Sequence, residues 1–206
     1  MSTDSTPNIA SQAVGGFLEQ LGAKVHAPGG GAAAALTGAT AAAAAEMVVS
    51  YSVDKKSLAE HQAFNADAKK QLERARAMFL TLGDEDAAGY GVLNTLWKLD
   101  KDHPDRVAGW DDAVAGAIGP PRAMLALSVE MLRLCEGLIS KTNTQLKSDL
   151  GVAAVLGQAA ARSAAWNVQI NIPLLPSDDR DRAHREVDAS LEHAQALCNA
   201  IESGCA

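Results

Sequence analysis

Pro28-Gly29-Gly30-Gly31 runs directly into an alanine-rich stretch that begins at Ala32. Glycines in that place leave backbone N–H groups bare where a helix starts, and the positive end of the helix dipole favours an anion or a carboxylate there. They also let a flat ligand touch the backbone. The same residues read equally as a flexible turn or a point of close helix packing. They are no Walker loop, because no Lys-Ser/Thr follows, and no dinucleotide fingerprint, because no strand precedes them. His26 stands beside them, and Lys55 and Lys56 follow the alanine-rich stretch, where cations complement a helix C-terminus or meet an anionic substrate tail.

A second set of residues carries a carboxylate on an apolar face. Phe79, Leu82, Asp86, Tyr90, Leu93 and Trp97 recur at spacings of three and four, which is one side of a helix. Asp86 sits in the middle of that stripe, and a charge there needs a partner or a purpose. Asp84 points to nearly the opposite side, so the two form no carboxylate pair. Asp86 reads as a proton carrier or as a core ion pair with another helix. A third set is Ser148-Asp149 with Asn167 and Asn171, the two asparagines four apart on one face and Asn143 just upstream. Asp149 in a first helical turn compensates the dipole, and Asn171 near a helix end is a cap. Asn167 lies among Ala164, Ala165 and Val168, where an amide needs a hydrogen-bonding partner on another helix or on a ligand.

The elements that must hold these groups are helices. Of the 206 residues 41 are alanine and only 4% are aromatic, a composition that excludes an all-β fold and disfavours an α/β one. Periodicity predicts a first helix over 9–21 and an alanine-rich one over 32–51. A long helix follows over 57–99, with Ser57 and Glu60 as a capping box and Gly83 as a kink. Pro104 marks a break before a fourth helix, which Gly119-Pro120-Pro121 should kink or split. Beyond it Met124, Leu127, Met131, Leu134 and Leu138 form a core stripe, with Cys135 beside it. Ser148 is the expected cap of a helix reaching 172, whose small face is Ala153, Gly157, Ala160, Ala161 and Ala164. A charged last helix covers 177–202. No repeat or composition shift divides the chain. The expectation is one all-α domain over 1–206, a bundle of five to seven helices, some long. Its alanine-rich faces are best covered by a second copy, a homodimer.

Net charge of −7 without a basic cluster disfavours nucleic acid as a partner. Cys135, Cys198 and Cys205 are few, odd in number and lack metal-ligand spacing, which suggests a reducing cytoplasm and no metal. Residues 1–8 show no basic or apolar segment of a signal peptide, and the weakly hydrophobic run 32–49 reads as a buried helix and not a membrane span.

Taken together, these elements resemble the cyclodeaminase/cyclohydrolase family of folate enzymes. The matching stretches are FLEQLGAKVHAPGGGAAAALTGATAAAAAEMVV at 17–49, DKK at 54–56, DEDAAGY at 84–90 and SDLGVAAVL…NVQIN within 148–171. They fall in the same order along most of the chain. Departures from the family's pattern are Ala32 after the triplet, His26-Ala27 before Pro28, Tyr90 and Asp54.

The resemblance implies an all-helical homodimer that acts on a tetrahydrofolate carrying a one-carbon unit between N5 and N10, with no metal or redox cofactor. It implies that Asp86 is the acid/base group. Substrate would be bound by Pro28, Gly29, Gly30, Gly31, Lys56, Tyr90, Ser148, Asp149, Asn167 and Asn171. The expected activity is methenyltetrahydrofolate cyclohydrolase, with formiminotetrahydrofolate cyclodeaminase as runner-up. A folate-binding protein without catalysis and a helical scaffold without ligand are the readings from other classes.

Overall fold

The computed structural model describes residues 9–206, so the reading of residues 1–8 lies outside it. Six α-helices follow in order, α1 (Val14–Leu21), α2 (Gly30–Ser50), α3 (Gln62–Trp97), α4 (Pro104–Leu138), α5 (Lys147–Gln169) and α6 (Ser177–Cys205). No strand occurs among the described residues.

Alanine determines how α2 packs. Its side chains are too small to hold neighbours away, so α3 and α5 lie directly against its backbone, and α4 touches it more lightly. Ala34, Ala35, Ala41, Ala42 and Ala45 are buried in one core with Phe79 and Leu72 of α3, Leu132 of α4 and Leu150 of α5. By length and composition α2 could cross a membrane, but 56% of that stretch is buried against other helices, as in a core helix. The small face of α5 is buried as expected, from Ala153 and Gly157 to Ala164. Cys135 is also core; burial pushes its thiol up to about 12. α6 covers α4 and α5 with Ala194, Leu197 and Ile201.

Several boundaries differ from expectation. α2 begins at Gly30, not at Ala32, so two of the three glycines are helical. The Ser57–Glu60 capping box does not form. Residues Lys56–His61 make a 3-10 turn and α3 starts at Gln62. Gln62 organises that turn: its Nε2 donates to the Ser52 and Leu58 carbonyls at 3.1 Å, and its Oε1 accepts the Asp54 N–H at 2.7 Å. Asp54 takes the left-handed conformation at φ 62°. Ser148 is not a cap, because α5 starts one residue earlier with Leu146 as its N-cap. Gly83 lies inside the continuous α3, where a side chain would run into Ala35 and Ile9. Pro120 and Pro121 do not split α4, which runs through them for 35 residues.

α2 and α5 run antiparallel. Lys55, just past α2, reaches Asn143, just before α5, at 2.7 Å, while Gly30 at the start of α2 meets Asn167 near the end of α5. The bundle therefore has two distinct ends, separated by about 30 Å, the length of a 21-residue helix.

Candidate active site

The end where α2 begins contains a cavity of about 510 Å³. Its walls are the loop at His26 and Ala27, the glycine triplet, Asp86, Tyr90 and Trp97 of α3, Ala117 of α4, and Asn167, Ile170 and Asn171 at the end of α5. Thus Gly29, Gly30, Gly31, Asp86, Tyr90, Asn167 and Asn171, far apart in the chain, meet in one place. Pro28 is buried just behind the wall, in a smaller space shared with Ile9, Asp84 and Ala87.

Asp86 is half-buried and, among the described residues, neither donates nor accepts a hydrogen bond and has no cation within ion-pair distance. Its carboxylate occupies the space beside Gly31 where a side chain would stand. Burial without a compensating charge raises its pKa to about 6. The core ion-pair reading of Asp86 finds no partner among the described residues.

The opening turn of α2 presents donors. The first helical bond is Ala33 N–H to the Gly29 carbonyl at 3.1 Å, and Gly29 supplies no side-chain cap. The N–H groups of Gly30, Gly31 and Ala32 precede that bond, as the first turn of any helix leaves them. Asn167 donates from Nδ2 to the Ser163 carbonyl at 2.8 Å, which turns its Oδ1 toward Gly30; a Cβ on Gly30 would stand 3.3 Å from that oxygen. The cavity therefore offers amide donors, an amide acceptor and a titrating carboxylate in one space.

Flat side chains complete it. Tyr90 and Trp97 follow Asp86 by one and three turns of α3, and Trp97 is half exposed. Trp97 is braced edge-on by Trp110 at 6.1 Å, and the Arg106 guanidinium lies 4.6 Å above the Trp110 ring. Arg106 also donates to the Leu99 carbonyl at 2.7 Å, tying the α3–α4 turn together.

Three expected binding residues stand elsewhere. Within one chain Lys56, Ser148 and Asp149 belong to the opposite end of the bundle, because α2 and α5 each span its full length. Lys56 and Ser148 are exposed there. Lys55 is held structurally by Asn143, whose own N–H donates to the Ser52 hydroxyl at 2.9 Å. Asp84 also does more than face away: its Oδ1 accepts the Ile9 N–H at 3.1 Å and anchors the start of the described chain.

Sequence reasoning did not assign His26, Trp97, Ala117 or Ile170 to the site. Trp97 was within reach, since it continues the Asp86–Tyr90 face. Ala117 carried no signal of its own.

Residues 13–190 match the family model described as formiminotransferase-cyclodeaminase. The chain is 32% identical over 191 residues to a methenyltetrahydrofolate cyclohydrolase of Methylorubrum extorquens, covering 88% of this chain and 89% of that protein. It is 25% identical over 199 residues to the formimidoyltransferase-cyclodeaminase of Mus musculus, covering 93% of this chain and only 37% of that longer protein. The crystal structure of a formiminotetrahydrofolate cyclodeaminase from Thermotoga maritima has the same fold, with a TM-score of 0.85 at 21% identity over 95% of this chain and 96% of that one.

Proposed function

Because the chain belongs to the formiminotransferase-cyclodeaminase family, we propose that its cavity hydrolyses 5,10-methenyltetrahydrofolate to 10-formyltetrahydrofolate. A relative 32% identical to this chain, and covered over 89% of its own length, is a cyclohydrolase. The observation that carries the reading is Asp86, an unpaired carboxylate beside the first turn of α2, in a cavity with flat walls.

The methenyl bridge is a cation shared between N5 and N10. Beside Asp86 it supplies a positive charge that no described residue brings within ion-pair distance, so substrate binding favours the ionised carboxylate. Water then adds to the bridging carbon while Asp86 takes one of its protons, giving a neutral tetrahedral carbon. Collapse breaks the carbon–N5 bond, Asp86 returns its proton to N5, and the hydroxyl proton leaves to solvent as the formyl C=O forms on N10. One water is consumed and one proton released. The Asn167 Oδ1 and the open N–H groups of α2 serve to orient polar edges of the ligand, and Tyr90 and Trp97 flank its rings.

A second reading, formiminotetrahydrofolate cyclodeamination, has relatives of that name in its favour. It uses the same carboxylate: N10 attacks the formimino carbon and ammonia leaves. The experiment follows the methenyl chromophore with and without protein, and ammonia release from the 5-formimino substrate in parallel. Accelerated loss of the chromophore is expected. Ammonia release alone would select the cyclodeaminase, and a folate-induced rise in melting temperature with neither activity would select a binding protein.

The reading includes a homodimer. α5 turns Val152, Val155, Trp166 and Ile170 outward, and the last two are 73% and 74% exposed. A second copy would cover that stripe. It also assigns the enzyme to the cytoplasm, where Cys135, Cys198 and Cys205 would remain thiols.

A further inference from the structure

Pro120 and Pro121 have no N–H to give to the carbonyls one turn back in α4, those of Gly116 and Ala117. The Ala117 carbonyl is taken up at the cavity, and the Gly116 carbonyl packs against α3. Gly116 faces Gly89 of α3, so closely that a side chain on Gly89 would collide with the carbonyl oxygen. The Ala117 carbonyl accepts from Asn171 Nδ2 at 3.2 Å, and the same amide donates to the Asn167 carbonyl at 3.0 Å. Asn171 thus joins the middle of α4 to the end of α5.

We propose that Asn171 is a positioning residue for the reaction: it supplies the hydrogen bond that Pro121 cannot make to Ala117, and so fixes Asn167 against Gly30. This rests on the reading of the cavity as a cyclohydrolase site. Two protons are all that an amide has, and both are committed to backbone carbonyls, so Asn171 has no donor left for a ligand. The asparagine that faces the substrate is Asn167, whose Nδ2 is engaged by Ser163 and whose main-chain carbonyl is held by Asn171. Ala117 lines the same cavity, so the bridge also sets the distance between two of its walls.

A double-mutant cycle tests this. In Pro121→Ala, residue 121 regains an N–H for the Ala117 carbonyl, and the Asn171 amide becomes dispensable at that contact. Asn171→Ala is expected to lower kcat by about tenfold or more while KM for the methenyl substrate stays within about threefold. In the Pro121→Ala background the same change should lower kcat by about twofold or less. The melting temperature should show the same coupling. Equal losses of kcat in both backgrounds would mean that Asn171 touches substrate itself, and an unchanged kcat in Asn171→Ala would mean that it positions nothing; either result overturns the proposal. If the wild-type protein does not hydrolyse the methenyl folate, the functional reading fails. The melting-temperature cycle, which needs no substrate, still decides the bridge: a loss of equal size in both backgrounds overturns it. If Asn171→Ala does not fold, a folded double variant supports the bridge. An unfolded double variant beside a folded Pro121→Ala overturns it.

Discussion

The carboxylate of Asp86 fills the space that a side chain on Gly31 would occupy. The missing Cβ and the acid are therefore one arrangement: glycine at the start of α2 lets a helix from elsewhere in the chain bring its carboxylate against the first turn.

Asp86→Asn is expected to lower turnover by about 10²–10⁴-fold, the range for loss of a general acid/base. Its effect on stability should have the opposite sign from that of a broken ion pair. The folded protein keeps the Asp86 proton up to about pH 6, whereas the unfolded chain releases it near 3.8. Folding is therefore penalised by this group as pH rises through that window, and the penalty is complete at neutral pH. The variant should melt at or above the wild type at pH 7, with the difference vanishing near pH 4. Melting curves across that range check it, and a lower melting temperature at pH 7 would refute it.

Gly31→Ala must push the Asp86 carboxylate aside, and a loss in kcat of about 10²-fold is expected. Gly30→Val is different, because its side chain meets Asn167 Oδ1 and the cavity itself. Folate affinity should fall while the melting temperature holds. Isothermal titration beside thermal unfolding separates the two, and lost stability with retained affinity would make Gly30 a packing residue.

Asp84→Ala removes the acceptor of the Ile9 N–H and should destabilise by about 1 kcal/mol. Turnover should be unchanged, since the side chain lies outside the cavity. A loss comparable to that of Asp86→Asn would show that the two acids act together.

Trp166→Glu should convert a dimer into a monomer by placing a charge within the exposed stripe on α5. Sedimentation at micromolar concentration reads the result. A wild type that sediments as a monomer would dispose of the dimer altogether.

Helix identity was legible wherever one helix's own composition decided it. The alanines of α2, the small face of α5 and the stripe through Asp86 each announce which side is buried, and the acid stands out because its neighbours are apolar. What was not legible depends on partners distant in sequence. Pro120 and Pro121 read as a break because the compensating groups are on other elements, Asn171 54 residues away from the carbonyl it serves. Ser57 looked like a cap because the residue that orders the turn is Gln62, through contacts spread over four partners. Lys56 and Ser148 follow or open the helices that carry the glycines and asparagines of the site, but they lie at the far ends of those helices in space. A motif shows that residues go together, and helix length shows at which end they meet.

For protein engineering the glycines divide into two groups. At Gly31, Gly38, Gly83 and Gly89 an alanine would strike Asp86, Phe79, Ala35 or the Gly116 carbonyl, so the usual helix-stabilising replacement would drive α2, α3 and α4 apart. At Gly91 and Gly151, also inside helices, nothing lies within 4 Å, and alanine should add about 0.5–1 kcal/mol of stability. A consensus or propensity-driven redesign that treats all helical glycines alike would gain at the second group and lose the enzyme at the first. The interlocked glycines fix the register of α3 on α2, and a slip of one helical turn would carry the acid about 5 Å away from Gly31.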